Sequence, residues 1–271
     1  NWDRTVKAGE LHISEYQGEE ERQLLSRAEQ VFERGDFYLS NAEQRMVDVV
    51  KQNFKKVIVV MNVGGMVDTS WFCADPDIQA VLMAWQGGME GGSGAVDVIT
   101  GKVPASGRLS DTIAYHIDDY PSTRNFGCED TIRYEEDIYV GYRYFETLPG
   151  AQKKVIYPFG YGLSYTTFGL DTIAMWETEN QIFAEVQVTN TGNLAGKEVV
   201  QIYFEAPQGL LKKPARQLAA FAKTRLLQPG ETQQIRLSFA KADMASYDDL
   251  GKIKKSAYIL EKGTYKFYIG T

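Results

Sequence analysis

The chain has 271 residues, 44% hydrophobic and 24% charged, the proportions of an ordinary globular protein with two domains or one large one. A net charge of −7 and a pI near 5.1 exclude a nucleic-acid binder, which needs a concentrated basic surface; the doublets Lys153-Lys154 and Lys212-Lys213 read only as solvated loops. No apolar run approaches the roughly eighteen residues of a membrane helix, so no membrane partner is expected.

The first half alternates helical and strand patterns. Glu20 to Arg34 places Leu24, Leu25, Ala28, Val31 and Phe32 on one face, a helical period. Ser40 followed three residues later by Glu43 is a capping box, and the helix it opens should turn Met46, Val47, Val49, Val50 and Phe54 inward. Lys56 to Met61 is a short, β-branched apolar run, expected as a strand buried on both faces of a parallel sheet. The run within Ile78 to Trp85 predicts a second strand, leading through Gly87-Gly88-Met89-Glu90-Gly91-Gly92 into a helix near Ser93. Strand, turn and helix repeated in this way predict an α/β open sheet with helices on both faces, an α/β sandwich.

After Pro158 the period becomes two. Ile182, Ala184, Val186 and Val188 alternate with polar residues, and Asn190-Thr191-Gly192 is a turn. Val199 to Phe204, the alternating Ile235, Leu237 and Phe239, and the alternating Tyr265, Phe267 and Ile269 predict further strands. Several short strands separated by turns predict an all-β sandwich. The domains are therefore placed at 1–157, incomplete at its N-terminus, and 158–271.

The glycine-rich stretch 87–94 lacks the Gly-Lys-Ser/Thr of a phosphate loop and the spacing of a dinucleotide site, so it reads as a tight turn and no cofactor is expected. Glycoside hydrolysis needs two carboxylates facing one another across a bond. Glu135-Glu136-Asp137 and Asp118-Asp119 qualify by residue type only, because sequence neighbours do not face one another. No Gly-x-Ser-x-Gly anchors a serine triad. His12 and His116 stand alone, and Cys73 and Cys128 match no metal spacing, so no metal is expected. The cysteines form no disulfide framework, which points to a reducing compartment and a cytoplasmic location. From the residues alone the reading ends at an α/β domain joined to a β-sandwich, with no self-contained active site.

Four ordered motifs carry a resemblance. They are Gly87–Gly92 with Asp97-Val98-Ile99 and Ser106-Gly107-Arg108-Leu109; Tyr139-Val140-Gly141-Tyr142-Arg143-Tyr144-Phe145; Tyr157-Pro158-Phe159-Gly160-Tyr161-Gly162-Leu163-Ser164-Tyr165; and Val188-Thr189-Asn190-Thr191-Gly192 with Gly196-Lys197-Glu198-Val199-Val200-Gln201-Ile202-Tyr203. Together they resemble glycoside hydrolase family 3, the last being similar to its fibronectin type III-like module. Ala105 departs from the family's proline-serine pattern. Asn1-Trp2-Asp3-Arg4 with Gly35-Asp36-Phe37-Tyr38-Leu39-Ser40 resembles the family's acid/base segment, Asn1 replacing the usual glycine.

The resemblance implies part of a retaining β-glycosidase that hydrolyses terminal non-reducing β-D-glucosyl residues of oligosaccharides or aryl glucosides. It places no catalytic residue in the chain. The acid/base glutamate is expected just before Asn1, the nucleophilic aspartate on a (β/α)8 barrel outside the segment, and Trp2, Asp3 and Arg4 as loop support or substrate-binding residues. Implied partners are a glycoside substrate and that barrel, and homo-oligomerisation stays open. A β-xylosidase of the same family, and a non-catalytic carbohydrate-binding or scaffold fragment, are the alternatives.

Overall fold

A computed structural model of the protein describes residues 34–125, 131 and 133–271, and these fold into two compact units. The first comprises the described residues up to Ile99, with Thr112–Asp137 and Lys153–Tyr157; the second comprises Thr100–Asp111, Ile138–Gln152 and Pro158–Thr271. The expected helix within 20–34 lies outside the described residues, apart from Arg34.

In the first unit, helix α1 spans Asn41–Asn53 and opens on the expected capping box. The Ser40 amide donates to Glu43 Oε2 at 2.8 Å and the Glu43 amide to Ser40 Oγ at 3.3 Å, so two amides that no helical carbonyl can reach are satisfied. Strand β1 (Ile58–Met61) pairs in parallel with β2 (Ala80–Met83), Ile58 opposite Ala80 and Met61 opposite Met83. The short helix α2 (Ser70–Cys73) lies between them in sequence, and α3 (Gly91–Ile99) follows β2, starting two residues before the expected Ser93. Strand β3 (Ile113–Ala114) pairs antiparallel with β4 (Val155–Tyr157).

Two expectations need correction here. Only Val47 and Val50 of the helix's apolar residues are half-buried, while Met46, Val49 and Phe54 are exposed. Strand β1 is covered on one face, where Met61 is buried, and open on the other, where Ile58 and Val60 are 51% and 44% exposed. The reason lies in the extent of the core. Among the described residues, Val57, Met61, Val67, Phe72 and Ile78 form a single cluster, with Val50, Val59, Trp71, Met83 and Tyr157 packed against it. That cluster reaches one side of a two-stranded sheet, whereas a complete parallel sheet is covered on both.

The second unit is built on two three-stranded antiparallel sheets. One has the order β5 (Phe168–Glu177), β6 (Gln181–Asn190), β9 (Thr232–Ala240); the other β12 (Lys266–Gly270), β7 (Val199–Glu205), β8 (Gln217–Lys223). Side chains alternate across a strand, so Ile182, Ala184, Val186 and Val188 of β6 and Ile235, Leu237 and Phe239 of β9 all turn inward and are buried. They form one core with Val200, Ile202 and Phe204 of β7, Leu227 and Met244, the interdigitated interior of a sandwich. A separate ribbon pairs β10 (Ser246–Asp248) with β11 (Ala257–Ile259).

The turn after β6 is closed by Asn190, which is fully buried. Its Nδ2 donates to the Leu194 and Leu227 carbonyls at 2.7 and 2.9 Å, and its Oδ1 accepts from Thr166 Oγ1 at 2.7 Å and the Gly192 amide at 3.1 Å. With both amide protons and its carbonyl oxygen engaged, the side chain can lie in the core at little desolvation cost.

Candidate functional site

Parts of the four motifs meet in the second unit at two places, while Gly87–Gly92 and Asp97–Ile99 belong to the first. The first is Arg108, whose side chain is only 11% exposed. Its guanidinium pairs with the buried Glu198 carboxylate, and its Nη1 donates to the Gly162 carbonyl at 2.8 Å. Glu198 Oε1 also accepts the Val199 amide at 2.6 Å. Residues from three separated stretches, 107–109, 160–162 and 198–199, are thereby tied together, with backbone bonds Leu109 N–H to Tyr161 O and Gly160 N–H to Leu109 O, both 2.8 Å. Gly162 is required by the approach: a Cβ there would collide with the Gly107 carbonyl oxygen. Planar, bidentate-capable guanidinium suits this convergence better than an ammonium would.

The second place is an aromatic cluster. Helix α4 (Tyr142–Thr147) stacks Tyr142 on Phe159, with centroids 4.5 Å apart, and Tyr203 of β7 meets both rings edge-on at 6.1 and 6.5 Å. Side chains of α4 also satisfy amides leading into β8: Tyr142 Oη accepts from Leu218 and Thr147 Oγ1 from Ala215, each at 2.8 Å. This cover explains why β7 departs from simple alternation, with Gln201 buried as well as its core-facing neighbours. Burial pushes the Tyr203 hydroxyl and the Glu146 carboxyl above their ordinary pKa values, Arg216 partly opposing the shift at Glu146. Both clusters brace backbone segments and neither aims a pair of carboxylates at open space.

The residues singled out from sequence fall as follows. Trp2, Asp3 and Arg4, like His12 and Cys128, lie outside the described residues. Asp118 and Asp119 form a 3₁₀ turn, where Asp119 pairs with Lys154 at 3.2 Å and accepts the His116 amide at 3.1 Å. Glu136 is half-buried, which raises its pKa, and Glu135 and Asp137 are exposed. The glycine stretch is a tight turn, as expected: Gly88 has φ +65°, and a Cβ on Gly87 would strike the Gly91 backbone. A surface depression of about 350 Å³ is lined by Asp48, Lys51, Gln52 and Asp77. Its lysine is already paired with Asp75, which holds that carboxyl below its usual range. Among the described residues no three metal-ligating side chains are grouped, and no helix is long and apolar enough to cross a membrane.

Lys213 is a correction. Read as part of a solvated loop, it is buried, ion-paired with Glu261, and its Nζ donates to the Leu211 carbonyl at 3.0 Å. Glu261 also accepts the Leu210 and Leu211 amides, and it neutralises the Lys213 charge inside the fold while Lys212 stays exposed. A basic doublet carries no signal for this; only the chain between β11 and β12, which brings Glu261 alongside, supplies it.

Comparison with known proteins places these features. The glycosyl hydrolase family 3 C-terminal domain matches residues 10–165, and the fibronectin type III-like domain matches residues 198–271. Beta-glucosidase A of Butyrivibrio fibrisolvens is 54% identical across 100% of this chain and 34% of its own length. A solved beta-glucosidase from Paenibacillus barengoltzii superimposes with a TM-score of 0.82 at 51% identity, covering 86% of this chain and 26% of that one. Beta-glucosidase 3B from Thermotoga neapolitana, solved in complex with glucose, gives a TM-score of 0.79 at 38% identity over 88% of this chain and 33% of its own. The chain thus spans about a third or less of these relatives, and the part it spans is their α/β domain and sandwich module. With the Arg108 junction, the aromatic cluster and the sandwich all in the described fold, and the family match covering more than half of its residues, the chain belongs to glycosyl hydrolase family 3.

Proposed function

We propose that this chain is part of a retaining β-glucosidase that removes terminal non-reducing β-D-glucosyl residues from oligosaccharides or aryl glucosides. The observation that carries this reading is 54% identity, across the whole chain, to a protein named beta-glucosidase A. β-Xylosidase and a non-catalytic binding fragment are the competing readings, and neither is represented among the relatives compared above.

Catalysis is divided between two parts of the full-length protein. A barrel outside this segment supplies the aspartate that attacks the anomeric carbon and forms a covalent glycosyl intermediate. The acid/base glutamate belongs to the segment immediately before Asn1; it protonates the leaving oxygen and then deprotonates the water that releases the sugar. Asp3 or Arg4 holds that loop in place, with Trp2 beside the substrate. The sandwich module acts mechanically and carries no catalytic residue. The cytoplasm is the proposed location, and self-association of the full-length protein is compatible with this reading.

The test is a panel of nitrophenyl glycosides assayed with the full-length protein. A clear preference in kcat/KM for β-D-glucoside over β-D-xyloside, with retained anomeric configuration in the first-formed product, is the expected result. Preference for the xyloside, or inversion, would overturn the assignment.

A further inference from the structure

Residues 246–259 form the two-stranded ribbon of β10 and β11, with Tyr247 directly opposite Tyr258. One carboxylate fixes its loop. Asp248 is fully buried; its Oδ1 accepts the Gly251 and Lys252 amides at 2.8 and 3.0 Å, and its Oδ2 accepts those of Ile253 and Lys254 at 2.7 and 2.8 Å. The Asp248 carbonyl takes the Ser256 amide at 2.7 Å. Gly251 and Ser256 both have positive φ, +77° and +57°, and for the serine this is a conformation held by its surroundings.

A loop fixed this firmly could be expected to bury its apolar side chains. It does the reverse. Tyr247 is 51% exposed, Leu250 72%, Ile253 44% and Tyr258 76%, with Lys252, Lys254 and Lys255 exposed around them. The two tyrosine rings touch, with centroids 5.1 Å apart. Preorganised apolar and aromatic groups inside a charged rim have the composition of a docking surface, because the ordering entropy of the loop is already lost before contact.

We propose that the ribbon Ser246–Ile259 docks against the part of the full-length protein that lies outside these 271 residues, its apolar side chains at the centre of the contact and its lysines on an acidic rim. The inference rests on the reading of this chain as a portion of a longer glycosidase. Beta-glucosidase A matches the whole chain with 34% of its own length, so most of such a protein remains to cover this surface. A second copy is the weaker occupant, because two ribbons meeting about a two-fold axis would oppose like lysine clusters.

Hydroxyl-radical footprinting of the full-length protein tests this, at concentrations where sedimentation shows a monomer. Tyr247, Leu250 and Tyr258 should oxidise several-fold more slowly than their exposure in the 271-residue fold implies. The pair Leu250→Asp and Tyr258→Asp should restore fast oxidation at Tyr247 and lower the melting temperature. Fast oxidation of the wild-type ribbon in the monomer would overturn the proposal, and so would protection that appears only when the protein dimerises. The wild-type comparison stands even if the variants fail to fold. Activity on nitrophenyl β-glucoside, measured on the same preparation, separates this result from the functional assignment: a protected ribbon on a protein inactive toward glycosides would sink the assignment alone.

Discussion

Removing either member of the Arg108–Glu198 pair should destabilise the second unit far more than a surface charge change does. Both side chains are nearly enclosed, 11% and 7% exposed, so water cannot replace a lost partner. Glu198→Ala leaves the guanidinium unpaired and the Val199 amide without its acceptor. Breaking a buried pair costs about 3–5 kcal/mol, and an orphaned buried amide about 1–3 kcal/mol; the two overlap, and about 4 kcal/mol is expected. Arg108→Ala removes the same pair and the bond to the Gly162 carbonyl but leaves Glu198 its amide donor, so about 3 kcal/mol is expected. Because each single variant strands a charge that the double variant removes, the double should lose less than the sum by at least about 2 kcal/mol. Urea unfolding of all four proteins, monitored by a signal from the sandwich, measures this cycle. Single losses below about 1 kcal/mol, or strict additivity, would refute the claim that this pair is a desolvated clasp joining three stretches of chain.

Gly162→Ala should cost about 1–3 kcal/mol, because its Cβ meets a backbone carbonyl that cannot rotate away; an unchanged urea midpoint would contradict the geometry. At Asp248 burial raises the carboxyl pKa, but four backbone amides outweigh it and leave the folded value below the ordinary one. The sign follows: the group contributes stability that is fully present above its unfolded pKa, near 4, and lost as pH falls through the lower folded value. Asp248→Asn should therefore flatten the acid limb of the stability curve below about pH 4, which thermal melts across that range would register. Asp3→Ala in the full-length protein should lower kcat on nitrophenyl β-glucoside far more than it lowers the melting temperature, if the proposed function holds and Asp3 positions the acid/base loop; parallel losses in both would leave it a structural residue only.

The capping box at Ser40 and Glu43 and the inward faces of β6 and β9 were legible without any tertiary information, because each depends on spacing within one element: three residues for the cap, two for the strand. The turn at Asn190 was legible as a turn but not as the buried hub it is, since its four partners come from Thr166, Gly192, Leu194 and Leu227. The Asp248 cage had a weak local signal in Asp248-Asp249-Leu250-Gly251, a turn composition, though not in the number of amides collected.

Periodicity also predicted more burial than the described residues provide. Met46, Val49, Ile58 and Val60 carry the pattern of covered faces and are exposed, because a pattern records which face wants cover and not what supplies it. By itself the sequence determined the family, the order of the two fold types, and which face of each strand or helix is apolar, all properties of short spacings and contiguous motifs. Only the tertiary structure decided that Arg108 belongs to Glu198, that Lys213 is a core residue, and that Tyr142 and Phe159 lie over β7. A pairing between residues tens of positions apart depends on how the intervening chain folds back, and no local pattern encodes that distance.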